Sequence, residues 1–198
     1  MRIEVREESI ASVAEYARIP IAFEVNEVLD VAGEPNGAAG FTLSARRVGT
    51  PYLKDYDAIT RAGPTQWAQQ FDVSKWGLIA ARVDHQYVGG ATVAYDTPGL
   101  DMLEGRSDLA LLWDIRIAPS LRRRGVGSVL FEAAEAWAST RGCRQLKVET
   151  QNINVAACRF YARHGCVLRA AHPMAYPEFP DEIQLLWYKD LDSGVSLT

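Results

Sequence analysis

The segment of the chain that decides the fold is Arg122-Arg123-Arg124-Gly125-Val126-Gly127-Ser128. It joins a run of apolar residues to a stretch with helical periodicity. Glycines at such a junction let the backbone turn sharply and approach a ligand, and the N–H groups at a helix start favour an anion. A solvated run of arginines is the plainer interpretation. The position of the three arginines directly before Gly-x-Gly instead favours a binding site for phosphate or pyrophosphate.

The residues on either side predict a strand, a turn and a helix. Leu109 to Ile117 is almost continuously apolar and closed by Pro119, as expected of a strand buried on both faces. Apolar residues then recur at helical spacing: Val126, Val129, Leu130, Ala133, Ala134 and Trp137. We expect this helix to stop at Arg141-Gly142, because a basic last turn followed by glycine favours a helix end.

Downstream, the pattern predicts three strands and a second helix. A strand is expected at 145–150, and two closing strands are expected at 166–170 and 183–188. Between the first two, Asn154 can cap a helix that carries Phe160 and Tyr161 along one side and stops at Gly165.

Upstream, the signals are weaker. Residues 1–22 are polar with a possible short helix, 23–29 fits an edge strand, and 33–40 is a loop by composition. A strand is expected at 41–48, broken by Gly49-Thr50-Pro51, and 77–83 with 86–93 predicts a hairpin around Asp84-His85. This order of elements indicates an α/β fold with a mixed sheet.

The composition excludes several classes of protein. A chain of 198 residues, 48% hydrophobic and 23% charged, predicts one domain, 1–198. The net charge is 21 − 25 = −4, which argues against nucleic acid and suits a neutral or cationic partner. The three cysteines have no C-x-x-C spacing, so neither a disulfide framework nor a metal site is indicated, and a reducing cytoplasm is expected. An acidic start without an apolar stretch predicts neither export nor a membrane partner.

Two other phosphate-binding motifs fit poorly. A dinucleotide fingerprint needs a third glycine, but Leu130 stands three residues after Gly127. The P-loop pattern of G-x-x-x-x-G-K-[ST] does not occur.

The pattern R-x-x-G-x-G, filled by Arg122, Gly125 and Gly127, resembles the GCN5-related N-acetyltransferases, or GNAT family. The segment 154–161 followed by Gly165 is similar to that family's second motif, so the two motifs cover 109–170 in the expected order. Looser likeness to streptothricin acetyltransferases extends over 146–152, 186–188, 40–43 and 51–56. Trp113 departs from those enzymes, which carry a glutamate there, and Cys166 replaces a usual phenylalanine.

The resemblance implies a mixed, mostly antiparallel sheet with flanking helices and a splayed strand pair that admits acetyl-CoA. It assigns the pyrophosphate to seven residues: Arg122, Arg123, Arg124, Gly125, Val126, Gly127 and Ser128. It assigns the pantetheine arm to the backbone of Ile115 and Ile117 and to Asn154. The backbone assignment also makes physical sense, because the end of a splayed strand has unpaired N–H and C=O groups that an amide-bearing arm can satisfy. For Asn154 the alternative role of an ordinary helix cap stays open.

The resemblance also suggests the chemistry. Tyr161 would protonate the departing CoA thiolate, unless it is only a packed aromatic. The base that takes the ammonium proton would be Asp114 or, as second choice, Glu149 acting through water. Alternatively, Asp114 has a structural role in a salt bridge with Arg116. Trp113 and Tyr176 are expected to contact the substrate.

The expected function is therefore acetyl transfer from acetyl-CoA to a primary amine of a small cationic molecule, such as a streptothricin-type antibiotic, in a ternary complex. No metal is expected. A non-catalytic acetyl-CoA-binding module, or acetylation of polyamines or protein amino groups, stays open. So does the oligomeric state, a homodimer included. No serine or cysteine pairs recognisably with His85, His164 or His172, so covalent catalysis is not expected.

Overall fold

The computed structural model describes residues 1–34, 40–59 and 63–191. Across these residues the strands and α-helices follow in chain order as β1 (Glu4–Glu8), α1 (Val13–Tyr16), β2 (Phe23–Gly33), β3 (Phe41–Lys54), β4 (Gly77–Val83), β5 (Gln86–Tyr95), β6 (Leu109–Ile117), α2 (Val126–Thr140), β7 (Gln145–Gln151), α3 (Val155–Arg163), β8 (Val167–His172) and β9 (Gln184–Asp190). Short 3-10 turns lie at 10–12, 56–58, 64–69, 101–103 and 119–121.

Contacts divide the chain into two units. The first unit comprises 1–22, 55–146 and Leu191, and the second comprises 23–54 and 147–190. The expectation of one domain over 1–198 stays a prediction, and the two units are described separately below.

In the first unit the strands run in the order β1, β4, β5, β6, each antiparallel to its neighbour. The predicted hairpin is confirmed, because β4 and β5 are joined by a two-residue turn at Asp84 and His85. Both residues are left-handed, with φ of 49° and 65°, as a tight hairpin turn requires.

The predicted strand, turn and helix around residue 122 are also confirmed. β6 and α2 have the expected bounds within a few residues. The buried face of α2 includes Phe131 and Ala138, which the periodicity did not select, while Val129 and Ala133 are only partly buried. The helix ends where expected, with Arg141 at its C-terminus and Gly142 at a φ of 80°.

The core of the first unit is rich in aromatic side chains. Tyr16 is fully buried, and it shares one apolar cluster with Trp67, Trp76, Leu78 and Leu111. Burying each such side chain stabilises the fold by about 1.5–3 kcal/mol.

In the second unit β2 and β3 form a long antiparallel hairpin, and β8 pairs antiparallel with β9. The hairpin packs through Val25 and Val28 on Ile153. The second predicted helix is confirmed as α3, because the Asn154 side chain accepts a hydrogen bond from the Ala157 N–H at 3.2 Å.

One expectation about local structure was wrong, and one strand was not predicted. The strand at 41–48 does not stop at Gly49-Thr50-Pro51 but continues to Lys54. Val25 pairs with Tyr52 and Glu27 pairs with Arg47, so the register of the β2–β3 pair shifts between them. The Gly-Thr-Pro segment therefore forms an irregularity within β3, a position where proline is tolerated. The N-terminal segment contains the expected short helix, α1, and also β1, which the sequence did not predict. Residues 35–39 of the expected loop at 33–40 lie outside the described residues.

Candidate active site

The loop before α2 has the geometry expected of an anion site. Gly125 has a φ of 89° and precedes the first residue of the helix, and Arg123 is also left-handed at 61°. Glycine at this position offers no side chain to cap the helix, so no side-chain cap is formed. Arg123, Arg124 and Gly125 are exposed, whereas Val126 is buried and Gly127 and Ser128 are partly buried. Uncapped N–H groups beside two exposed guanidinium groups suit a diphosphate.

Arg122 differs from the two arginines that follow it. Its guanidinium donates hydrogen bonds to the backbone carbonyls of Ile117 at 3.1 Å, Ala22 at 2.9 Å and Pro20 at 2.8 Å. Partial burial lowers its pKa. The side chain of Arg122 therefore links the segment 20–22 to the end of β6. These hydrogen bonds help to fix the conformation of the loop before α2.

Asp114 lies in a buried network. Its carboxylate accepts hydrogen bonds from Arg116 Nε at 3.0 Å and Nη2 at 2.9 Å, and from the hydroxyl of Tyr16. Arg116 also pairs with Asp57, at 2.7 and 2.8 Å, and donates to the Ile19 carbonyl at 3.2 Å. Burial raises the pKa of Asp114 against the opposing effect of Arg116. Both carboxylate oxygens are thus engaged, and the salt bridge between Asp114 and Arg116 is present. The role of Asp114 as a base stays a prediction.

Trp113 is the extra residue in a β-bulge of β6. Asp114 lies opposite Thr92 and Leu112 lies opposite Val93, so Trp113 has no partner in the register. Its ring is partly buried and packs edge-on against Trp67 and Phe71, with centroids 6.2 and 5.3 Å away. Bulges re-aim side chains and are common next to active sites.

Ile115 and Ile117 lie beyond this bulge, opposite Ala91 and Gly89 of β5. Both isoleucine side chains are partly buried, so they are less enclosed than core residues. The carbonyl of Ile117 accepts the hydrogen bond from Arg122 noted above.

In the second unit, Glu149 of β7 is held by neutral donors. Its Oε1 accepts from the Tyr176 hydroxyl at 2.5 Å and from Gln151 Nε2 at 3.3 Å, and its Oε2 accepts from Gln184 Nε2 at 3.0 Å. The side chain is partly buried, and no lysine, arginine or histidine among the described residues forms an ion pair with it. Tyr176, expected to bind substrate, thus contacts a predicted catalytic carboxylate.

Tyr161 and Asn154 both belong to the second helix motif. Tyr161 is 4% exposed and its ring lies 5.2 Å from that of Phe160. Asn154 acts as the helix cap. Its contact with the cofactor stays a prediction.

Several residues of these networks carried no sequence signal. Tyr16, Asp57 and Gln184 are ordinary residues in the linear pattern, and each reaches its partner only in the fold. Glu182 likewise carried no sequence signal of its partner, and it forms an ion pair with Lys54.

No helix within 1–34, 40–59 and 63–191 has both the length and the apolar character that crossing a membrane needs. Among those same residues, no three His, Cys, Asp or Glu side chains gather as metal ligands.

Comparison of the sequence with known proteins finds one matching family and several similar proteins. Residues 49–166 match the profile described as Acetyltransferase (GNAT) family. The chain is 42% identical over 81 residues to streptothricin acetyltransferase A of Bacillus subtilis (strain 168), covering 40% of this chain and 47% of that protein. It is 30% identical over 169 residues to a streptothricin acetyltransferase of Escherichia coli, covering 84% of each.

A Bacillus anthracis protein, described provisionally as a streptothricin acetyltransferase and solved in complex with acetyl coenzyme A, has the same fold. Its TM-score is 0.74 at 22% identity, over 96% of this chain and 99% of that one.

The chain belongs to the GNAT acetyltransferase family. The expected fold class, the enzyme class of acetyl-CoA-dependent N-acetyltransferase and acetyl-CoA as the acetyl donor are thereby confirmed. The alignment with the first relative spans about half of that protein's length, so the particular substrate is a matter for proposal.

Proposed function

We propose that the protein acetylates a primary amine of a small cationic antibiotic, by direct attack of the amine in a ternary complex. Its relatives are named streptothricin and aminoglycoside acetyltransferases, and these names support an antibiotic as the substrate. The observation that carries this proposal is Glu149. Its carboxylate is partly buried and held by three neutral donors. A carboxylate accepts about four hydrogen bonds, so Glu149 retains capacity for an ammonium group.

Glu149 is the base in this proposal. A primary amine with a pKa near that of lysine, about 10.4, is protonated at neutral pH and cannot attack until it loses a proton. Glu149 takes that proton directly or through a water molecule. Asp114, the first choice from the sequence, is less suited because Arg116 and Tyr16 already engage both its oxygens.

Acetyl-CoA supplies the thioester whose acetyl group is transferred. The exposed Arg123 and Arg124 and the N–H groups of the loop up to Ser128 bind its diphosphate. The backbone of Ile115 and Ile117 and the side chain of Asn154 hold the pantetheine arm. The nitrogen–carbon bond forms as the carbon–sulfur bond breaks.

Tyr161 completes the proton balance. It donates its hydroxyl proton to the departing thiolate, while Glu149 takes the first proton of the ammonium group. The second nitrogen proton, lost as the amide forms, passes through solvent to the Tyr161 phenolate and restores its hydroxyl group. Trp113 and Tyr176 remain the proposed substrate contacts, and Tyr176 acts through its hydrogen bond to Glu149.

The test is release of free CoA thiol with a panel of amines: streptothricin, an aminoglycoside, spermidine and a lysine-containing peptide. We expect turnover with an antibiotic amine and a product one acetyl group heavier by mass spectrometry. The same antibiotic with its amines already acetylated is the matched control and should give no thiol. Acetyl-CoA binding without thiol release on any amine would instead support a non-catalytic binding module, and release only with spermidine or the peptide would move the substrate to another class.

A further inference from the structure

A buried ion pair lies at one end of the loop that carries Tyr176. Lys54 Nζ lies 2.5 Å from Glu182 Oε1, and the two side chains are 8% and 10% exposed. Lys54 is the last residue of β3, opposite Phe23 in the register, and Glu182 stands two residues before β9. The pair therefore joins the β2–β3 hairpin to the segment 173–183, called here the proline loop after Pro173, Pro177 and Pro180.

The contact continues along the proline loop. Lys54 Nζ also lies over the ring of Phe179, 3.4 Å from its centroid. The Glu182 N–H donates to the Phe179 carbonyl at 3.0 Å, and the Phe179 N–H donates to the Tyr176 carbonyl at 2.9 Å. Two successive turns thus connect the ion pair to Tyr176.

The last residue of the loop is fixed to the strand that carries Glu149. The Ile183 N–H donates to Asn152 Oδ1 at 2.8 Å, and the Asn152 N–H donates to the Ile183 carbonyl at 3.0 Å. The next residue, Gln184, donates to Glu149. Glu149 therefore receives one hydrogen bond from Tyr176 within the loop and another from Gln184 directly after it.

We propose that Lys54 and Glu182 are positioning residues that hold the proline loop so that Tyr176 orients Glu149 toward the amine. This role rests on the proposed function of Glu149. Removing one partner of a buried pair leaves an uncompensated charge, which is costly enough to drive that side chain toward water. Without Lys54 the Glu182 carboxylate turns outward, the loop leaves the hairpin, and Tyr176 no longer fixes Glu149.

The main test is the kinetics of Lys54→Met. The KM for the amine should rise by between about 10-fold and 10²-fold, as expected for a misplaced binding group, while the KM for acetyl-CoA stays unchanged. In the double variant Lys54→Met/Glu182→Met an apolar pair replaces the ionic one, so the amine KM should return toward the wild-type value. Arg46→Met is the matched control, because it removes the exposed Arg46–Asp30 pair of the same hairpin without touching the loop.

A second readout does not depend on activity. Glu178 is exposed within the proline loop, so a glutamate-specific protease can cut after it. Lys54→Met should be cut there faster than wild type, and the double variant and Arg46→Met should be cut at the wild-type rate. If Lys54→Met does not fold, Glu182→Gln tests the same contact.

The outcomes separate the two proposals. Wild-type protein that acetylates no amine overturns the proposed function, yet the protease rates still test the ion pair. A Lys54→Met protein with wild-type amine KM and wild-type cleavage at Glu178 overturns the positioning role and leaves the proposed function standing.

Discussion

At the scale of single residues, the two carboxylates proposed from the sequence as bases have opposite surroundings. Asp114 is bound by the guanidinium of Arg116 and by Tyr16 in a buried network. Glu149 is bound by a hydroxyl and two amides. Only the second arrangement leaves the negative charge without a cationic partner, and this difference assigns the ammonium group to Glu149 in our proposal.

Tyr161 provides the first test at this scale. Tyr161→Phe keeps the ring and its contact with Phe160 and removes only the hydroxyl. If that hydroxyl protonates the leaving thiolate, turnover should fall by about 10²–10⁴-fold while acetyl-CoA affinity is retained. Steady-state kinetics and calorimetric titration with acetyl-CoA measure the two effects. Unchanged turnover would make Tyr161 a packing residue only.

At the scale of elements, the strand–loop–helix unit of β6 and α2 was predictable because its signals are local. A continuous apolar run, a glycine pair and a helical stripe all fall within thirty-two residues, 109–140. The irregularity at Gly49-Thr50-Pro51 was not predictable, because the same residues can end a strand or bulge within it. Only pairing with β2 decides between these outcomes.

The glycines at the two ends of α2 provide a matched pair for a test. Gly125 and Gly142 have φ of 89° and 80°, and an added Cβ at either meets no atom within 4 Å. Alanine should therefore strain the backbone equally at both, by about 1–2 kcal/mol. We expect Gly125→Ala to weaken acetyl-CoA binding and Gly142→Ala to leave it unchanged, as measured by calorimetric titration. Equal affinity of the two variants for acetyl-CoA would contradict the prediction that this loop binds the diphosphate.

At the scale of the whole molecule, the networks described above, in one unit and in the other, join residues far apart in the sequence. Tyr16 and Asp114 are 98 positions apart, and Lys54 and Glu182 are 128 apart. No local spacing predicts such contacts, so the sequence indicated Asp114 and Glu149 as candidates and ranked Asp114 first without showing that Tyr16 also binds it. The family motifs, in contrast, are local and were found from the sequence.

The most direct test of the central claim is the pH–rate profile of Glu149→Gln with the best antibiotic amine. The substitution keeps the size of the side chain and removes its ability to take a proton. We predict a loss of about 10²–10⁴-fold in turnover at pH 7, with partial recovery near pH 10, where a substantial fraction of the free amine is already neutral. Asp114→Asn serves as the control and should lower stability without flattening the rising limb. A Glu149→Gln enzyme with the wild-type rate and profile, beside an Asp114→Asn enzyme that has lost the rising limb, would contradict the account.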